Sequence, residues 1–146
     1  MITISQVTYG SEAYKDFVLL RYKILRVPLG LEFSEQDLAT ENQEILLAAF
    51  DNEKVVGTCI LRDVSTACYK LRQMCVDTAI QHKGVGSTLL KFAEEIAKKN
   101  SKSKIELHAR AVAVEFYAKH GYKIQGNIFE EVGIPHFKME KFLMKS

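Results

Sequence analysis

The stretch Ile2-Thr3-Ile4-Ser5-Gln6-Val7 alternates apolar and polar residues, the period of a half-buried strand. Ser11 then fits a helix N-cap, and Tyr14, Phe17, Val18, Leu20, Ile24 and Leu25 recur at helical spacing as far as Arg26. Pro28 and Gly30 predict the stop. Leu31 to Glu41 is acidic and predicts a short helix within a longer connection. Beyond it the period changes. Glu44 to Phe50 is a continuous apolar run, Asp51-Asn52 is a turn signal and Val55 to Leu61 is apolar and β-branched, which together predict a hairpin inside a sheet. Tyr69 to Asp77 predicts another strand. Val85, Leu89, Phe92 and Ile96 form the stripe of an amphipathic helix. Ile105 and Leu107 mark a short strand, and Ala111 to His120 a helix ended by Gly121 at C′. Tyr122 to Phe129 and Phe137 to Leu143 read as the last strands.

The step from Leu71 to Leu107 is strand, helix, strand, which calls for a right-handed crossover between parallel strands. The hairpins on either side call for antiparallel pairing. The expected fold class is α/β: a mixed, mainly antiparallel sheet of six to seven strands with helices on both faces. At 146 residues, one domain over 1–146 is the simplest organisation.

Composition narrows the classes of function. With 47% hydrophobic and 26% charged residues the chain is an ordinary globular one. Its net charge of +2 gives no argument for a nucleic-acid partner, and the basic residues between Lys98 and Lys104 read as a solvated helix end and loop. Cys59, Cys68 and Cys75 have neither CxxC nor metal-ligand spacing; they predict buried, unpaired thiols in a reducing compartment, and no metal. No apolar run reaches the roughly 20 residues that span a bilayer. The N-terminus lacks the pattern of a signal peptide. A cytoplasmic protein with no membrane partner is expected, and an edge strand leaves homodimerisation open.

The segment AIQHKGVGSTLL, residues 79–90, carries the chemistry. Glycine near a helix start costs up to about 1 kcal/mol relative to alanine, so Gly84 and Gly86 call for a reason. A bound anion supplies one: first-turn N–H groups lack intrahelical acceptors, the helix dipole adds positive charge, and without a Cβ a phosphate oxygen reaches them directly. The alternative is a plain tight strand-to-helix turn. GxxxxGK[ST] and GxGxxG are both absent, which disfavours a nucleotide-triphosphatase loop and a dinucleotide fold.

Gln81-x-x-Gly84-x-Gly86, preceded by Leu71-x-x-Met74-Cys75-Val76, resembles the acyl-CoA-binding motif of the GNAT N-acetyltransferase superfamily. Ala113 to Tyr122 (AVEFYAKHGY) is similar to that family's second signature, and Phe129 to Met139 resembles an ElaA-like tail. The resemblance implies acetyl-CoA as cosubstrate and an amine acceptor as partner. It implies that the main chain of Gln81, His82, Lys83, Gly84, Val85, Gly86 and Ser87 holds the pyrophosphate. The strand at Met74, Cys75 and Val76 would pair with the pantetheine arm, with an N–H of Met74 or Val76 facing the carbonyl oxygen. Tyr117 matches the family tyrosine that protonates the departing thiolate. Arg110 stands where many relatives carry an asparagine, so that residue's role does not transfer.

Acyl transfer to an amine also needs a proton acceptor. Glu131, His136 and His108 are the candidates by residue type. Period-two counting places Gln73 on one strand face with Leu71 and Cys75, toward the substrate end, and His82 and Lys83 lie beside the glycines. The acceptor's determinants are expected in the first helix, the Pro28-to-Glu41 connection and the Glu130-to-His136 turn. Glu32, Glu35, Asp37 and Glu41 would favour a cationic amine. Two functions fit: an acetyl-CoA-dependent N-acetyltransferase working by direct transfer, without a covalent cysteine, or a non-catalytic acyl-CoA-binding or sensing module.

Overall fold

The computed structural model describes residues 2–30 and 38–144, with the backbone alone for 29 and 81–83. Seven strands form one sheet in the order β1-β2-β3-β4-β5-β7-β6. They are β1 (Ile2–Val7), β2 (Ile45–Asp51), β3 (Lys54–Ser65), β4 (Cys68–Val76), β5 (Lys104–Arg110), β6 (Lys123–Glu131) and β7 (Ile134–Phe142). Among the described residues, helices α1 (Glu12–Arg21), α2 (Val85–Lys99) and α3 (Val114–Lys119) accompany it. The mixed sheet, mostly antiparallel and flanked by helices, is the one expected. The parallel pairing expected of the strand–helix–strand step is also found, since β4 and β5 run parallel from Cys68↔Lys104 to Leu71↔Leu107. The residues group into two compact units, 1–62 with 73–93, and 63–72 with 94–146.

In the first unit β1, β2 and β3 pair antiparallel, and Asn52, at φ +57, makes the tight turn between β2 and β3. The Ser11 hydroxyl caps α1 by accepting from the Tyr14 N–H at 3.1 Å, worth about 1 kcal/mol. Phe17 and Leu20 of α1 pack with Leu46, Ala48 and Ile60. Alternate positions serve the other face. Ala49 and Gly57 are paired in register, and a methyl on Gly57 would lie 2.9 Å from Leu89 Cδ1 and 3.0 Å from Val85 Cγ1 of α2. Glycine here lets the helix close onto the strand. Gly57→Ala should therefore lower stability by about 1–3 kcal/mol through overpacking, seen as a lower urea midpoint at unchanged slope.

Past Arg21 the chain tightens and widens by turns: Tyr22–Arg26 is π-helical, Val27–Leu29 is a 3-10 turn holding Pro28, and Gly30 is left-handed at φ +69. The helix predicted through Arg26 thus changes its winding after Arg21. The short helix expected in the acidic connection falls largely on residues 31–37, outside the described residues.

Two expectations need correction. The buried row of α2 is Val85, Leu89, Ala93 and Ala97, joined by Leu90 and Glu94, whereas Phe92 is 36% exposed. Small residues face inward because the helix sits close, as Gly57 shows, and the larger ring is turned out. Lys102 is not part of a solvated stretch either. It is 8% exposed, its ammonium 2.9 Å from Asp63 and 2.6 Å from the Ser65 carbonyl, above the Tyr69 ring at 4.8 Å.

In the second unit β5 and β7 pair antiparallel with His108↔Lys138 and Arg110↔His136, and β6 pairs β7 with Phe129↔His136 and Glu131↔Ile134. Ile105, Leu107, Ala109 and Met139 occupy the buried face. The period of two then puts His108, Arg110, His136, Phe129 and Glu131 together on the opposite one.

Candidate functional site

The glycine segment does not run straight from strand to helix. The Asp77 carboxylate accepts from the Ala79 N–H at 3.0 Å and opens a 3-10 turn, Thr78–Lys83. Gly84 follows in the left-handed region, at φ +71 and ψ +21, and its carbonyl accepts the first bond of α2, from the Thr88 N–H at 3.1 Å. Gly84 is exposed, and a Cβ there would meet nothing within 4 Å. Gly86 lies in the first turn of α2. Val85 is buried, so it offers its main chain alone. The geometry fits an oxyanion ligand, with open space at the left-handed glycine beside a helix N-terminus. The side chains of Gln81, His82 and Lys83 lie outside the described residues.

Upstream, Met74 and Val76 are half-buried in β4, while the Cys75 side chain joins the core cluster under α1. The Thr58 hydroxyl donates to the Gln73 main-chain carbonyl at 2.8 Å and lies 3.2 Å from Cys75 Sγ. Counting misses the backbone. Gln73 sits at φ +54, a left-handed residue inside a strand. Its side-chain Oε1 accepts from Arg21 Nε at 3.4 Å.

Arg21 is the end of a buried network. Its Nη1 and Nη2 donate to the two Glu41 oxygens at 2.7 Å each, and the Tyr14 hydroxyl donates to Oε1 at 2.8 Å. Arg21 is 1% exposed and Glu41 0%. Burial, then the hydrogen bond and charge of Glu41, raise the Tyr14 hydroxyl pKa and keep it a neutral donor. Removing one partner of such a pair costs about 3–5 kcal/mol. Glu41 is therefore no exposed acid that attracts an amine. Glu32, Glu35 and Asp37 lie outside the described residues.

In the second unit the hairpin from β6 to β7 turns through Val132 at φ +47 and Gly133 at φ +74, the two positive values of a type I′ turn. Next to it the three proton-acceptor candidates meet. His108 Nδ1 lies 3.0 Å from Glu131 Oε1, and His136 Nε2 lies 3.8 Å from Oε2. A carboxylate only accepts, so His108 Nδ1 carries the hydrogen and, in the neutral ring, Nε2 carries the lone pair. His136, 5% exposed, donates from Nδ1 to the Ile134 carbonyl at 2.8 Å, and its ring lies along Phe129. Phe129 also meets His108 edge-on at 5.0 Å. Arg110, half-buried, stands opposite His136.

Tyr117 on α3 is buried, its ring 5.1 Å from Phe116 and 5.8 Å from Tyr122. Phe116 is the less buried of the neighbouring pair. The cysteines are free and buried, as expected; burial raises the Cys59 thiol and pushes Cys75 up to about 11.

Residues 29–143 match the model of the acetyltransferase (GNAT) domain. The chain belongs to the GNAT acetyltransferase family. Among GNAT relatives, the uncharacterized N-acetyltransferase YjcF of Bacillus subtilis (strain 168) is 30% identical over 136 residues, 92% of this chain and 96% of its own. Escherichia coli ElaA superposes with a TM-score of 0.81 at 19% identity, over 97% of this chain and 99% of that one. A GNAT acetyltransferase of Elizabethkingia anophelis with acetyl-CoA bound reaches 0.74 at 21%, over 97% and 98%. At such identities the superpositions speak for the GNAT fold. Other structures align as well as ElaA does, so an ElaA-like subgroup is not singled out.

Within this GNAT chain the sequence reading passes over Arg21 and Thr58, and takes Tyr14 only as part of the apolar row of α1 and Glu41 only as an acid of the connection. A signal for Arg21 exists: it continues the buried row Tyr14, Phe17 at helical spacing, so a charge falls where apolar residues belong. Among the described residues no group of His, Cys, Asp and Glu could hold a metal ion, and no helix is long and apolar enough to cross a membrane.

Proposed function

We propose that the protein transfers an acetyl group from acetyl-CoA to a primary amine of a small molecule or protein, directly and without an acyl-enzyme. GNAT membership supports the donor, and the open left-handed turn at Gly84 supports a main-chain cradle for its diphosphate. The observation that carries catalysis, as against binding alone, is the His108–Glu131 pair at 3.0 Å.

An amine attacks only when neutral. In this reading Glu131 fixes the tautomer of His108 and stabilises the ring once charged, and His108 Nε2 takes the amine proton directly or through water. His136, committed to Ile134 through Nδ1, is read as a packing neighbour of Glu131 and Phe129. The N–H of Met74 or Val76 is assigned to the carbonyl oxygen as charge builds on it. Tyr117 is assigned to the departing thiolate as proton donor. The buried cysteines, with thiols raised by burial, argue against a covalent acyl-cysteine.

Tyr117→Phe is expected to lower turnover by roughly a hundredfold, the lower end of one general-acid contribution, with coenzyme A affinity nearly unchanged. Unchanged turnover would remove that role. The reading as a whole is tested by incubating the purified protein with acetyl-CoA and an amine panel and following the product by mass. Binding of coenzyme A with no acetylated amine would make the chain a sensing module instead.

A further inference from the structure

We propose that Arg21 is a positioning residue for Met74–Val76, holding through Gln73 the left-handed turn of β4 that aims the main-chain groups after it. The inference rests on the reading above in assigning those groups to the thioester arm.

Two observations meet at Gln73. Its backbone occupies φ +54, a region that L-residues avoid and that persists only where the surroundings over-determine it. A left-handed residue inside a strand also breaks the even pleat, so it resets the direction of the N–H and C=O groups that follow. The surroundings hold Gln73 from two sides. Thr58, itself buried, donates to its carbonyl at 2.8 Å, and Arg21 Nε donates to its side-chain oxygen at 3.4 Å.

Arg21 is suited to this by the shape of its guanidinium. Two nitrogens form a fork with Glu41 at 2.7 Å each, Tyr14 secures Glu41 at 2.8 Å, and the ring of Phe17 lies 5.3 Å from Cζ. With the fork anchored, Nε is left pointing at Gln73. Lysine carries its donors on one nitrogen and cannot reproduce the planar two-nitrogen fork on Glu41 while a third nitrogen reaches Gln73. At 1% and 0% exposure, Arg21 and Glu41 are shut off from any substrate, so their influence on chemistry passes through Gln73.

The test uses Gln73→Gly and Arg21→Lys in the full chain. Glycine is at ease at positive φ and leaves Arg21 paired with Glu41, so Gln73→Gly should fold with a melting midpoint within about 4 °C of the parent. Amide hydrogen exchange at Met74–Val76 should accelerate about tenfold in both variants, with β2 amides unchanged in Gln73→Gly. In Gln73→Gly, kcat should fall about tenfold while the coenzyme A dissociation constant stays within about twofold. Parental exchange and parental kcat in Gln73→Gly would overturn the proposal. Faster exchange in a protein whose parent acetylates no amine would uphold the positioning role and overturn the catalytic reading, so the two failures are separable.

Discussion

Gly84→Asp is expected to weaken coenzyme A binding about a hundredfold, equivalent to roughly 2.7 kcal/mol, without unfolding the protein. The position tolerates the change in two respects. A Cβ meets nothing within 4 Å, and Asp and Asn are the residues best able to adopt the φ +71 found there. The damage comes from charge. A carboxylate about 5 Å from a phosphate costs on the order of 3 kcal/mol at an effective dielectric constant near 20. Gly84→Asn is the matched control: it carries the same bulk and the same backbone demand without the charge, and should lose about tenfold or less. Isothermal titration at two salt concentrations separates the contributions, because only the Asp penalty shrinks as salt rises. Equal affinity for parent, Asn and Asp would show that this turn holds no phosphate.

The second large effect belongs to the His108–Glu131 pair. His108→Gln and Glu131→Gln should each lower kcat by roughly a hundredfold, the scale of a lost general base, with coenzyme A affinity intact. Glu131→Gln keeps the size of the side chain and removes the charge that stabilises a protonated ring 3.0 Å away. The double variant should be little worse than either single one, since the two groups act as one acceptor. Amine basicity gives the decisive comparison. An acceptor already neutral at the assay pH needs no proton removed before attack, so both variants should lose least on weakly basic amines. Equal losses across the amine series would mean the pair only supports the fold. Parental turnover in both variants would take the proton acceptor elsewhere.

The elements were largely legible because their signals are local. Alternation in Ile2–Val7, the apolar run of β2 and the glycine after α3 each report on a few neighbouring residues. Burial was less legible. The inward row of α2 contains Ala93 and Ala97 while Phe92 faces out, and the close approach at Val85 and Leu89 depends on Gly57, some thirty residues earlier in the chain. Charges were least legible. Glu41 and Lys102 read as solvated residues in polar stretches, and each is buried against a partner remote in sequence. The site divides the same way. The glycine turn announces itself in the residue order, and Glu131, His108 and His136 could be named by type. Their meeting depends on the register of β5 and β6 against β7, which no single stretch encodes. The φ of Gln73 left no mark at all in the residue pattern.

The hairpin of Val132 and Gly133 bears on how the proposed acid–base set can be inherited. Side chains change faces with every residue of a strand, so a change in the Val132–Gly133 loop that slips β6 by one residue against β7 would turn the carboxylate to the far side of the sheet. The length of that bend therefore works as a fingerprint: homologues that share it can keep the same histidine–carboxylate arrangement, and lineages that have altered it must recruit an acceptor from another strand.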